Sequence, residues 1–261
     1  MIAALPWDCW LILLVLAVLL PWRGAARVRK LMARPSLTAS ERFATYTVTS
    51  AAQWIGSAIV FWRAVAHGWP PASLALVVPS PYRDVAVGIA LSALLATTQA
   101  LSLRLLARTP EAQHGVTYEM LRKLMPQSGG EIPAFLILVG TVGVCEEFLY
   151  RGFVFAAMLR VFPGEFLIAV LGSSVLFGIG HLYQGRRGII LTFVLGTIFA
   201  SLRVWTGSLL PCAVAHFVVD SIAGILGPQL LKRADAQRTN APSAGPDLMA
   251  MSIIIVDIIT I

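Results

Sequence analysis

The residues of this sequence best equipped for chemistry are Glu146, Glu147, Arg151, His181, His216 and Asp220, all set in or beside apolar stretches. The first three share one apolar run, residues 132–162. An ionisable side chain near a bilayer centre costs roughly 2.5–3.5 kcal/mol on insertion scales, so three without partners would cost about 8–10 kcal/mol. Glu147 and Arg151 are four apart with the acid first, the favourable order for an ion pair on a helix. Glu146 lies about 100° further round and has no such local partner, so it needs another explanation.

Depth supplies one. Glu146 is 17 residues before the turn at Pro163 and His181 is 18 after it. In an antiparallel hairpin both then sit roughly 26 Å from that turn and can face each other. A second turn at Gly207 places His216 roughly 13 Å and Asp220 roughly 20 Å away on the same side. His216 and Asp220, four apart, share a helix face. Four polar groups from three helices thus converge on one membrane-embedded cavity, which intramembrane ionisable residues normally line.

A carboxylate beside a histidine in a low-dielectric cavity suits general acid/base catalysis. The same acids and histidines could ligate a divalent metal, although the zinc-protease pattern H-E-x-x-H is absent. Nucleophilic attack by Cys145 is the weaker reading, because adjacent helix positions do not face each other and a buried cysteine usually packs as a small hydrophobe.

The elements that must hold these residues are set by composition. With 57% hydrophobic and 13% charged residues and a mean hydropathy of +0.79 over 261 residues, the chain is a polytopic membrane protein. The expected fold is all-α, a transmembrane helical bundle of about seven, possibly eight, spans. Spans are expected at 5–22, 44–62, 85–106, 132–162, 165–181, 188–205 and 209–231. The 132–162 run is long for one straight crossing and implies strong tilt, protrusion or a break near Gly140 or Gly143. Within 107–131 the apolar pattern of Tyr118, Leu121, Leu124 and Met125 predicts a short surface helix. Residues 232–250 turn polar and are expected as a tail or linker, and the closing 252–261 is too short to span. Organisation follows: 1–130 as N-terminal spans and an interfacial segment, 131–231 as the catalytic core, 232–261 as a C-terminal tail.

The net charge of +7 does not point to nucleic acid, because the basic residues cluster between spans. With an outside N-terminus and seven spans, fifteen lysines and arginines fall in inside segments and five in outside ones, the imbalance that positive-inside insertion requires. The expected setting is the inner (plasma) membrane of a bacterial cell, with the C-terminus cytoplasmic. Cys9, Cys145 and Cys212, odd in number and without framework spacing, predict no structural disulfide.

Glu146-Glu147-x-x-x-Arg151, Phe177-x-x-x-His181 and His216-x-x-x-Asp220, in that order on successive spans, resemble the motifs of the CAAX prenyl endopeptidase and bacteriocin-processing (CPBP or Abi) intramembrane protease family. Gly152 after Arg151, Gly196, and Thr206-Gly207-Ser208 are similar to further phrases of that family. The resemblance covers about 130–225. It implies a glutamate-dependent, metal-independent peptide hydrolysis with no cofactor, acting on membrane-associated or lipidated substrates, while the acids and histidines by themselves leave a divalent metal open. By that resemblance Glu146 acts with His181 to activate water, Glu147 and Arg151 hold the helix, and His216 and Asp220 sit where the oxyanion is stabilised. Asp220 departs from the asparagine expected in the prenyl endopeptidases. An ionised aspartate cannot donate to an oxyanion, so the favoured role for Asp220 is to orient His216 as the donor.

Two other classes compete: an ion-coupled transporter, since intramembrane Glu, His and Asp also mark ion pathways, and a non-catalytic immunity or scaffold protein. The expected partners are a peptide or protein substrate and the bilayer itself. Gly196 and Ala200 are expected to serve helix packing, while Gly178 and Gly180 serve either close approach or substrate room. Cys212, four before His216, is expected to pack rather than to ligate.

Overall fold

The computed structural model describes residues 5–108 and 116–240, and among these there is no strand. Eight helices follow one another. The first, α1, Trp7–Met32, opens just after Pro6, contains a π-helical stretch at Val15–Leu19, and continues as a basic helix past Trp22. Then α2, Ala39–Ala66, starts at a capping box in which the Thr38 hydroxyl accepts from the Glu41 N–H and the Glu41 carboxylate accepts from the Thr38 N–H. A proline-rich loop with a short turn at Pro71–Leu74 leads to α3, Pro81–Arg108.

The short α4, Val116–Lys123, is followed by α5, Gly129–Val161, a 33-residue helix. After the Pro163-Gly164 turn come α6, Phe166–Gly180, a single turn at Leu182–Gln184, α7, Gly185–Thr206, and α8, Leu210–Asn240. Gly164 and Gly207 take the positive φ that these turns demand.

Five helices, α1, α3, α5, α7 and α8, are long and apolar enough to cross a bilayer. The α6 helix is apolar but has 15 residues, rising roughly 22 Å against a hydrocarbon core of about 30 Å. The α2 helix has 28 residues and a more polar face with Thr45, Thr49, Gln53 and Ser57. The seven expected spans fall on these five helices together with α2 and α6, which do not reach that length and apolarity, so the expected count is approximate. The chain is an integral membrane protein of all-helical architecture.

The central element is α5, 61% of whose apolar window is buried against 28% for α1 and α3. It packs on α2 and α8, while α3 runs along α8 and α6 pairs with α7. Gly88 permits the α3–α8 approach, because a Cβ there would stand 3.0–3.1 Å from the Pro211 backbone.

Of the ways to accommodate the long run, a break at Gly140 or Gly143 is not the one taken. Gly143 instead lets the α8 backbone at Ala213 and Phe217 come within 3.5 Å of where a Cβ would sit, and the irregularity is a π-helical segment at Glu147–Val154. The short surface helix expected within 107–131 is present as α4: its Tyr118 and Leu121 face, with the following Leu124 and Met125, is buried with Phe135 and Leu138, while Val116 and Arg122 are exposed. The first nine residues of the expected 232–261 tail continue α8 as helix to Asn240. The closing 252–261 segment lies outside the described residues.

Candidate active site

The site is built where the π-helical part of α5 meets the C-terminal end of α6 and the first turns of α8. A π turn inserts an extra residue into the helical repeat and so rotates the next stretch of helix about its axis, a feature often found at functional sites. Here it begins at Glu147, directly after Glu146. Glu147 and Arg151 are fully buried, with Arg151 Nη1 donating to Glu147 Oε1 at 3.1 Å. The guanidinium carbon lies 3.9 Å from the Phe177 ring centre and 5.4 Å from that of Phe199, so aromatic faces supply part of what water would have given the cation. Gly196 makes this possible: a Cβ there would be 3.2 Å from both Arg151 Nη2 and Phe177 Cδ1.

His181 caps α6. Its Nδ1 lies 2.7 Å from the Phe177 carbonyl oxygen, which can only accept, so the proton sits on Nδ1 and the Nε2 lone pair is turned outward. That Nε2 faces Glu146 Oε2 at 3.9 Å, and Glu146 Oε2 has no hydrogen-bond partner. The separation is too long for a direct hydrogen bond, and polar groups at such a distance are commonly joined through water. Among the six ionisable residues the Glu146 side chain is the most accessible, at 12%, in an otherwise closed cluster.

On α8, His216 stands between two carboxylates. Its Nδ1 is 2.9 Å from Glu147 Oε1 and its Nε2 is 3.4 Å from Asp220 Oδ2. The tight contact fixes the ring, and the looser one leaves Nε2 the more adaptable nitrogen. Phe177 is the wedge of the site, its ring 4.7 Å from that of His181 and 6.4 Å from that of His216.

All six residues singled out by the sequence are therefore brought together: Glu146, Glu147, Arg151, His181, His216 and Asp220. Two side chains had no signal. Gln53 on α2 donates through Nε2 to Glu146 Oε1 at 3.1 Å, fixing the oxygen that does not face His181. Phe199 on α7 closes the far side of Arg151 and His216, its ring 6.1 Å from that of His216. A lone glutamine and a phenylalanine in apolar spans carry no recognisable spacing, so only the assembled bundle reveals them.

The glycines beside His181 serve close approach. A Cβ at Gly180 would lie 2.7 Å from the Tyr150 hydroxyl, and one at Gly178 would lie 3.0 Å from the Ile189 carbonyl. Cys212 packs, its thiol donating to the Phe199 carbonyl at 3.3 Å.

Among the described residues, one group of donors is spaced for a metal ion, and it lies elsewhere: Asp8, Cys9 and His67. His67 is fourteen residues from Gln53 along α2, roughly 21 Å away. There the Asp8 carboxylate already accepts from Arg63 at 2.6 Å and lies 2.9 Å from His67 Nε2, an ion-paired cluster tying α1 to α2.

No curated protein and no solved structure gives a significant match to the chain. The family model for type II CAAX prenyl endopeptidase Rce1-like proteins matches residues 128–222, a segment holding α5, α6, α7 and the part of α8 with His216 and Asp220. Residues 128–222 of this membrane chain are thus similar to the type II CAAX prenyl endopeptidase Rce1-like family, a likeness that at the level of the family supports a CAAX-type intramembrane protease.

Proposed function

We propose that the chain is an intramembrane endopeptidase that hydrolyses peptide bonds of membrane-associated or lipidated substrates through water activated by Glu146 and His181. The observation that carries this reading is the 3.9 Å approach of Glu146 Oε2 to His181 Nε2, with the Phe177 carbonyl holding the histidine proton on the other nitrogen. A water between these atoms would give one hydrogen bond to the carboxylate and one to the Nε2 lone pair. Both of its protons are then engaged, and a lone pair of its oxygen is left to attack the scissile carbonyl carbon. The carboxylate takes the proton released on attack, and Glu146, now an acid, returns it to the departing amine nitrogen.

The developing oxyanion needs a donor. His216 is supported in that role by its loose 3.4 Å contact to Asp220, from which Nε2–H can be shared with a newly formed negative oxygen. Asp220 and Glu147 are then positioning residues, one at each nitrogen of the ring, and Arg151 holds Glu147. This assigns to Asp220 a task that does not require it to donate.

Metal independence belongs to the same proposal, as does placement in a bacterial inner membrane with the C-terminus cytoplasmic and a peptide substrate entering from the bilayer. The test is a cleavage assay in which the reconstituted protein is offered a library of membrane peptides and products are read by mass spectrometry. Cleavage that persists under chelation and disappears in His181→Ala, with the variant still inserted and folded, is the expected result. Cleavage lost to chelation and restored by a divalent metal would assign the carboxylates and histidines to a metal instead. Proton or solute flux through vesicles without any cleavage would favour a transporter.

A further inference from the structure

Among the described residues, a row of cations without acidic partners lies on the second half of α1. Along Leu20–Met32 the side chains of Ala25, Val28 and Met32 share one face, with Ala25 buried and Val28 and Met32 packed into the cluster that contains Tyr118, Leu121 and Met125. Arg23, Arg27 and Lys30, spaced i, i+4, i+7, form a stripe on the opposite face over roughly 10 Å of helix. All three are exposed, and among the described residues none has an acidic partner. The contrast is Arg34, just beyond the helix, which pairs with Glu41 at 2.5 Å. Exposed Trp22 immediately precedes the stripe and ends the apolar half of the helix, as an interfacial anchor does. The stripe is therefore set at the level of lipid headgroups, with three cations and no counter-charge from the protein.

We propose that Arg23, Arg27 and Lys30 form a binding stripe for the phosphate groups of anionic phospholipids, and that a bound headgroup clamps the Leu182–Gln184 turn directly after His181. Charge complementarity favours this occupant, since juxtamembrane basic clusters are attracted to anionic lipid surfaces. The link to the site is direct packing: Leu20–Met32 lies against Leu182–Gln184 and against α6. The end of the same helix is pinned to α4 by Lys123 Nζ, which donates to the Met32 carbonyl at 2.8 Å. Lipid bound on the outer face thus presses on the segment that sets the position of His181. Binding does not depend on the proposed proteolysis; only its effect on rate does.

The test uses the full chain in vesicles of phosphatidylcholine alone or mixed with phosphatidylglycerol. Lipid retained after gentle extraction is read by native mass spectrometry, and amide exchange is followed across 182–184. The wild-type protein should retain phosphatidylglycerol in preference to phosphatidylcholine and lose that preference as salt is raised. The triple variant Arg23→Gln/Arg27→Gln/Lys30→Gln should lose about five-fold in retention per charge, on the order of a hundred-fold in all, with faster exchange at 182–184. A variant with the same charge loss at Arg122, Lys232 and Arg233 should behave as the wild type. Should the first triple variant fail to insert, the salt dependence of the wild-type preference decides. Equal retention of the two lipids by the wild-type protein overturns the proposal, as does undiminished retention in an inserted triple variant. So does a stripe that captures only a soluble acidic protein. Lost retention with unchanged exchange at 182–184 overturns the clamp. Because neither readout involves substrate, failure here is distinct from a failure of the protease reading.

Discussion

His216 Nδ1 stands 2.9 Å from Glu147 Oε1, the same oxygen that accepts from Arg151 Nη1 at 3.1 Å. The pair Glu147 and Arg151 is thus more than a device for placing two charges in one helix: it extends across to α8 and fixes the ring of a histidine that belongs to the site. Removing one partner of a buried pair leaves an uncompensated charge, whereas removing both does not. Arg151→Met should lower unfolding stability by roughly 3–5 kcal/mol and reduce cleavage together with it. In the double variant Glu147→Gln/Arg151→Met the loss should be smaller than the sum of the two single losses. Thermal unfolding of all three in one detergent gives the cycle; strict additivity would mean that the two side chains do not act on each other.

Gln53 tests whether Glu146 must be held as well as present. Its hydrogen bond to Glu146 Oε1 leaves Oε2 turned towards His181. A hydrogen bond to a charged group contributes roughly 1.5–3 kcal/mol, so Gln53→Leu should lower kcat by about ten-fold or more while KM and the unfolding midpoint stay near those of the wild type. A loss that appears wholly in stability would make Gln53 a packing residue.

Two glycines on neighbouring helices should respond in opposite ways. At Gly196 an added methyl meets Arg151 Nη2 and Phe177 at 3.2 Å, so Gly196→Ala should cost roughly 1–3 kcal/mol and disturb activity. At Gly140 the nearest atoms, of the Phe217 ring, are 3.8 Å away, and the site is an unstrained helical position. Gly140→Ala should be neutral or stabilising by up to about 1 kcal/mol. Unfolding measurements on both variants check the contrast.

Much of this site was legible from counting. The depth match of Glu146 with His181 needed only the 1.5 Å rise per residue and the turn at Pro163, and that of His216 and Asp220 the turn at Gly207; both turns are present. Rotation about a helix axis is harder to count, because the π-helical stretch at Glu147–Val154 shifts the phase and its apolar residues give no sign of it. For that reason the contact between Glu147 and His216 was not foreseen, although Glu147 with Arg151 was. Gln53 escaped because a single amide on a helix with several hydroxyl-bearing residues has many bland explanations. At the end of α8, the polar composition after Lys232 suggested a tail, yet charged residues such as Lys232 and Arg233 are compatible with a helix that has left the apolar region.

Acid should weaken the start of α2. The Glu41 carboxyl is held below its usual range, first by the Thr38 backbone N–H and then by Arg34. A lowered native pKa means that the unfolded chain takes up the proton first as pH falls. The contribution is therefore complete above the ordinary carboxylate range and is lost as pH drops through the lowered native value. Glu41→Gln should remove that part of the pH dependence and leave the neutral-pH cleavage rate unchanged. Unfolding midpoints of the wild-type and variant proteins, taken from pH 7 downward, check it.

The most direct test of the proposed chemistry is the rate of peptide cleavage by Glu146→Gln beside the wild-type protein in the same vesicles, with unfolding curves for both. The substitution keeps size and a hydrogen-bonding group at the position but removes the base. If Glu146 activates the water, cleavage should fall by about 10²–10⁴-fold while the folded, inserted protein remains. Full activity in a folded Glu146→Gln protein would contradict the assignment and move the chemistry away from the pair that Glu146 forms with His181.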